Sequence, residues 1–209
     1  MAQIFLIKIL IVGLSGIIAQ VLLLRELLVS FHGNELTLGV ILANWVVSEA
    51  IGVFIAGRVV DRIKNKVNFF IFLDIIFITT LPLSLYLSRT FKALLGLPFG
   101  ESIGLYALFS CSFFIILPVA FCHGALFSCG CKVGPELIKG LKFSIGRVYT
   151  LENVGTILGG VILTYFFIPY LDSFKIAFLV CFANLLILPF LLKYIVRRPI
   201  RYAFLCCIT

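Results

Sequence analysis

The sequence predicts an all-α protein, a polytopic transmembrane helical bundle of about six helices. Three observations carry that expectation. Hydrophobic residues make up 62% of the 209 positions and charged residues only 12%, with a mean hydropathy of +1.21. A soluble domain of this size needs far more charge to cover its surface. In lipid every backbone N–H and C=O must be paired internally, so the spans are helices or a closed barrel. Barrel strands alternate apolar and polar residues, whereas the apolar runs here reach about twenty residues without alternation, which is helical length.

Six spans follow in order, at about residues 4–24, 36–56, 67–86, 104–129, 151–171 and 173–192. A polar patch with Arg25, Glu26, His32, Gly33, Asn34 and Glu35 separates the first two. Gly57 to Lys66 forms the second connection, and Pro82 is expected to kink the third span. Turn residues around Pro98, Gly100 and Glu101 lead into the fourth, and residues 132–147 form the longest polar connection. Residues 1–201 therefore read as one transmembrane domain. Residues 202–209 resemble the opening of a seventh span, so this tail is expected to lie in the interface or to belong to a longer chain. The first apolar run is long enough to span and has no small-residue cleavage site, so no cleavable signal peptide is expected.

Charge placement orients the bundle. With the N-terminus in the cytoplasm, Lys8, Arg58, Arg62, Lys64, Lys66, Lys132, Lys139, Lys142, Arg147, Lys193, Arg197, Arg198 and Arg201 fall inside, thirteen of seventeen basic residues. Only Arg25, Arg89, Lys92 and Lys175 fall outside. That bias matches the positive-inside rule for a multi-pass inner-membrane protein whose N-terminus and residues 193–201 are cytoplasmic. It also accounts for the net charge of +8 as topology, without nucleic acid as a partner. The partner expected from composition is the lipid bilayer.

The seven cysteines all lie in or beside apolar runs and read as small buried hydrophobes in a reducing setting. Cys129-Gly130-Cys131 with His123 nearby matches no standard zinc spacing, so no metal is expected.

Two sequence features point to families. Gly57, Arg58, Asp61 and Arg62 stand in the loop after the second span. Gly57 lets two helices approach closely, and Asp61 can cap a helix or pair with an arginine. This resembles the signature loop of major facilitator transporters; an ordinary positive-inside loop is the alternative. Separately, Gln20…Arg25-Glu26 followed by Gly33-Asn34-Glu35-Leu36 precedes a later Gly146-Arg147-Val148-Tyr149-Thr150-Leu151-Glu152-Asn153-Val154-Gly155. Between them lie Asn44-Trp45 through Gly52 and Pro98-Phe99-Gly100-Glu101. Taken together and in order over residues 13–192, these resemble the membrane module of spermidine-synthase-like proteins, the fused facilitator/spermidine synthase type. The resemblance implies a bundle like half of a facilitator transporter that anchors or feeds a polyamine aminopropyltransferase domain. That domain, as a further domain or a separate chain, would use decarboxylated S-adenosylmethionine as donor. No Gly-rich nucleotide loop occurs in this sequence, so neither the cofactor nor the catalytic residues carry over to it.

Intramembrane polar residues cost about 2.5–3.5 kcal/mol each on insertion scales and so mark candidate sites. Here they are Gln20, Asn44, Glu49, Asp74, Glu152, Asn153 and Asn184, with Arg25 and Glu26 expected to snorkel at the outer interface. Glu49 and Asp74 are the best placed to face a cavity and bind a cation such as a polyamine or a proton. The alternative is an interhelical clamp, for example Glu49 with Arg25 or Asn153. His123 is expected to make an interhelical hydrogen bond, and Trp45 to pack as an aromatic. Gly155, Gly159 and Gly160, like Gly13 and Gly16, read as helix-packing positions. Three functions stay open: a membrane module for polyamine synthesis, a permease half that dimerises to carry a small or cationic solute, and a scaffold without a ligand.

Overall fold

The computed structural model describes residues 2–94, 104–137 and 145–196. They form α1 (Ala2–Phe31), α2 (Glu35–Arg62), α3 (Lys66–Leu94), α4 (Leu105–Leu137), α5 (Ile145–Ile162, continued by a π-helical stretch Leu163–Phe167) and α6 (Ser173–Val196). Among the described residues there is no strand. All six helices are long and apolar enough to cross a membrane.

The helices extend past the predicted spans. Arg25 and Glu26 stand inside α1, and Arg58, Asp61 and Arg62 form the last turns of α2. Hydropathy ends a span where charge begins, but a helix continues into the headgroup region as long as its backbone bonds persist. The second connection is therefore only Ile63 to Asn65, and the fifth helix starts at Ile145, six residues earlier than expected. The Pro98–Glu101 turn, most of the fourth connection and residues 197–209 lie outside the described residues.

Local chemistry fixes the boundaries. His32 adopts a left-handed conformation (φ 51°) and ends α1; the Gly33 N–H donates back to the Leu28 carbonyl at 2.9 Å, closing the last turn. Asn34 then caps α2, its side chain accepting from the Thr37 N–H at 3.1 Å in a capping box. Asp172 accepts from the Lys175 N–H at 2.8 Å at the start of α6, a bond that holds its carboxyl below the usual range. Pro82 stands within a continuous α3. A proline leaves the carbonyl four residues earlier unbonded; here that is Ile78, and the Cys181 thiol of α6 donates to it at 3.3 Å.

The contacts between helices give their directions. Along α1 and α3, Phe5 meets Phe70 and Phe31 meets Phe91, so these helices run parallel. Along α2 and α4, Asn44 meets Ser112 and Asp61 meets Lys132, again parallel. The thiol of Cys129 meets Lys66, while the ring of His123 meets that of Phe77, so α4 runs against α3. The chain therefore alternates up and down. The α1 helix is the most buried and touches all five others, whereas α2 and α5 flank the bundle with wide exposed apolar faces.

Candidate functional site

Among the described residues, two polar clusters sit within the bundle. The first joins α1, α3 and α6. Lys8 Nζ donates to both carboxylate oxygens of Asp74, at 2.8 and 2.7 Å, and to Asn184 Oδ1 at 2.7 Å. Asn184 in turn donates to Ser15 Oγ at 2.7 Å and to the Val180 carbonyl at 2.8 Å. The Lys8 and Asp74 side chains are both 0% exposed. Lys8 thus lies in the core rather than at the membrane surface, which removes it from the orienting charges. Asp74 is closed off by Lys8, which is the interhelical clamp that the sequence offers as the alternative to a cavity-facing carboxylate, with Lys8 as a partner the sequence did not name. The reason is reciprocal: each charge is tolerable in the apolar interior because the other is bound to it.

The second cluster joins α2, α4 and α5. His123 Nδ1 lies 2.6 Å from Glu49 Oε1, and the indole N–H of Trp45 donates to Glu49 Oε2 at 3.0 Å. With Glu49 ionised the carboxylate only accepts, and Nδ1 then carries the hydrogen of the short contact. On the far side of the ring, His123 Nε2 is buried without a hydrogen-bond partner and lies 3.9 Å from Glu152 Oε1. The histidine side chain is 6% exposed, while Glu49 is 30% and Glu152 15% exposed. One imidazole is therefore held between two carboxylates, the more open of which is Glu49.

Glycines make this convergence possible, and they do so twice. A Cβ on Gly13 would fall on the Glu152 carbonyl, and one on Gly155 on the Leu10 carbonyl. In the same way a Cβ on Gly124 would fall on the Glu49 carbonyl, and one on Gly52 on the Phe121 carbonyl. In each case the carbonyl belongs to the residue three positions before the crossing glycine. The α1–α5 crossing is thus repeated by α4–α2. Both carry Glu-x-x-Gly on the flanking helix, at Glu49 to Gly52 and at Glu152 to Gly155. Because α1 and α4 run in opposite directions, these two crossings repeat in inverted sense. Gly16 completes the site, since a side chain there would occupy the position of the His123 ring.

The other sequence candidates lie elsewhere. Glu49 meets neither Arg25, which is exposed, nor Asn153, whose amide donates to the Tyr149 carbonyl one turn back at 2.8 Å. Asn44 donates to the Phe109 carbonyl at 3.0 Å and to Ser112 Oγ at 2.8 Å, tying α2 to α4. Glu26 forms a two-bond pair with Arg89, at 2.7 and 2.8 Å, and Gln20 is half-buried and belongs to neither cluster. In the loop motif Asp61 pairs with Lys132 of α4 at 2.8 Å rather than with an arginine. Arg58 stacks on Phe54 with 3.5 Å to the ring centroid, Arg62 is exposed, and Gly57 stands against Ser128. Gly155 and Gly159 pack against α1, but Gly160 faces open space and packs against nothing.

Sequence reasoning missed Lys8, Ser15 and the bridging role of His123. The signals were a lysine at the fifth position of the apolar run that opens at Ile4 and the recurrence of Glu-x-x-Gly. Among the described residues no group of three or more His, Cys, Asp and Glu side chains is arranged to hold a metal ion. Comparison of the chain with models of protein families, with curated proteins and with solved structures finds no match.

Proposed function

We propose that this chain is a membrane-embedded cation-handling module, half of a facilitator-like permease, whose solute engages Glu49 and Glu152. One observation carries the reading: two flanking helices each bring a carboxylate to the same mid-bundle histidine, and both carboxylates stay partly exposed, Glu49 at 30% and Glu152 at 15%. Carboxylates at this depth, shared between helices, are the chemistry that replaces water around an ammonium group or a proton. The repeated crossing in inverted sense supports the facilitator-like part, because inverted three-helix repeats build such halves and place their sites at the repeat interface. The resemblance of the motifs to spermidine-synthase-like membrane modules supplies polyamine as the solute class. The same resemblance favours a second reading, in which the module delivers polyamine to, or anchors, an aminopropyltransferase domain.

The test is uptake of labelled spermidine into proteoliposomes. Wild type is expected to concentrate label, and Glu49→Gln and Glu152→Gln each to lose about tenfold or more of the initial rate, the effect of about 1.4 kcal/mol of binding energy. Absence of uptake by the wild type, or unchanged rates in both variants, would sink the transport reading.

The charge distribution supports an inner-membrane orientation with both the start of α1 and the segment after α6 in the cytoplasm. Single cysteines in a background without native cysteine, placed at Asn65 and at Asn34, test it. The first is expected to react with a membrane-impermeant maleimide only after lysis, the second in intact spheroplasts. The reverse pattern overturns the orientation.

A further inference from the structure

The geometry around His123 points to a proton relay: we propose that a cation arriving at Glu49 drives the Nε2 proton of His123 onto Glu152, so that solute and proton exchange. This rests on the cation reading above and adds to it the coupling and the residue that carries the proton.

The ring nitrogens are in different situations. Nδ1 is committed to Glu49 at 2.6 Å. Nε2 is sealed from solvent and has no hydrogen-bond partner, yet a carboxylate oxygen stands 3.9 Å away, one small side-chain movement from contact. A buried polar atom left unpaired costs free energy comparable to a lost hydrogen bond. Closing the 3.9 Å gap to Glu152 would satisfy that nitrogen. Gly16 keeps that space clear, because any side chain there would collide with Nε2.

The other groups facing the ring define what else can titrate. The α2 helix contributes Glu49 and the non-titrating indole of Trp45, α3 the ring of Phe77 with centroids 6.3 Å apart, and α5 Glu152. From α1 the neighbours are the backbone at Gly16 and the backbone of Val12, which also faces the imidazole. The nearest charged residue along α3, Asp74, is bound to Lys8 of α1.

The step balances as follows. The relay starts from an imidazolium between two carboxylates. An ammonium group of the solute pairs with Glu49 and removes the attraction that held the positive ring. The N–H bond at Nε2 breaks, its electron pair stays on the nitrogen, and an O–H bond forms on Glu152 Oε1. The neutral ring keeps its Nδ1 proton toward Glu49. Glu152, on the flank of the bundle and partly exposed, then loses its proton to water. Nothing is oxidised or reduced.

The experiment measures protons released per spermidine bound, using the full chain in detergent, weak buffer and a pH indicator alongside calorimetry. Wild type is expected to release about one proton per ligand near neutral pH. His123→Gln and Glu152→Gln are expected to release essentially none per ligand bound, whatever their affinity. Binding without proton release in the wild type, or unchanged release in both variants, overturns the relay while leaving the solute reading in place. If no spermidine binds, the solute reading falls, and nitrogen NMR of the two histidines decides the relay, with His32→Asn giving the assignment. The relay then requires the His123 titration midpoint to differ by about one unit or more between wild type and Glu152→Gln. An identical midpoint overturns it.

Discussion

Asp74→Leu with Lys8 left in place is expected to destabilise the bundle by about 3–5 kcal/mol, the range for breaking a buried ion pair from one side. The ammonium of Lys8 would keep only the Asn184 oxygen as a partner, in a position with no access to water. The double replacement Lys8→Met with Asp74→Leu is expected to recover most of that loss, since no charge then remains to be buried. Reversible unfolding in bicelles measures both. A double variant as unstable as the single one would show that the two residues act independently and that packing, not charge, sets the cost. The comparison also bears on how the bundle holds its register. Lys8, Asp74 and Asn184 come from three helices and bond at one level, and within lipid the apolar surfaces alone provide little to stop one helix sliding against another.

The parts of this fold that were legible in the sequence are those governed by composition. Six apolar runs gave six helices, because unalternating runs of about twenty residues suit a helix and not a barrel strand. Helix ends were less legible. Arg58 and Arg62 read as loop residues by charge, yet both are helical, and Arg58 sets its guanidinium over Phe54. Charge also misled at Lys8, which obeys no surface rule because a partner sixty-six residues away neutralises it. Pairing of that kind is a property of tertiary contact: a lysine within an apolar run signals that a partner exists but not which residue it is.

The polar site was half legible. Glu49 and Glu152 were conspicuous as acids within apolar runs, but what each one meets depends on which helices cross and where. Arg25 and Asn153 had the right chemistry to partner Glu49. The crossing at Gly52 and Gly124 instead puts α4 there, and His123 precedes Gly124 by one residue. In sequence the tie between Glu49 and His123 is visible only through the glycines: each acid precedes its own crossing glycine by three, a spacing that puts it on the glycine's face of the helix.

The neighbouring glycines of α5 give the second large effect, one with opposite signs at adjacent positions. A Cβ at Gly155 would land on the Leu10 carbonyl, and one at Gly159 would lie 2.7 Å from Ile17 Cγ2 and 2.8 Å from the Leu14 carbonyl oxygen. Backbone cannot rotate away as a side chain tip can, so α5 must move off α1. Gly155→Ala and Gly159→Ala are therefore expected to cost about 1–3 kcal/mol each, the usual range for overpacking, and Gly155→Leu more. Gly160→Ala meets nothing within 4 Å and is expected to be neutral or to stabilise by up to about 1 kcal/mol, since alanine is the better helix former. Bicelle unfolding of the alanine variants checks the sign change between residues 159 and 160; equal effects would mean that α5 does not seat on α1 through this face. The consequence reaches the site, because Glu152 is set against the ring of His123 by the same contact that seats Gly155. Separation of α5 from α1 should carry its carboxylate away from Nε2, so Gly155→Ala is expected to diminish proton release per bound spermidine while the Glu49–His123 contact, built on the other crossing, persists.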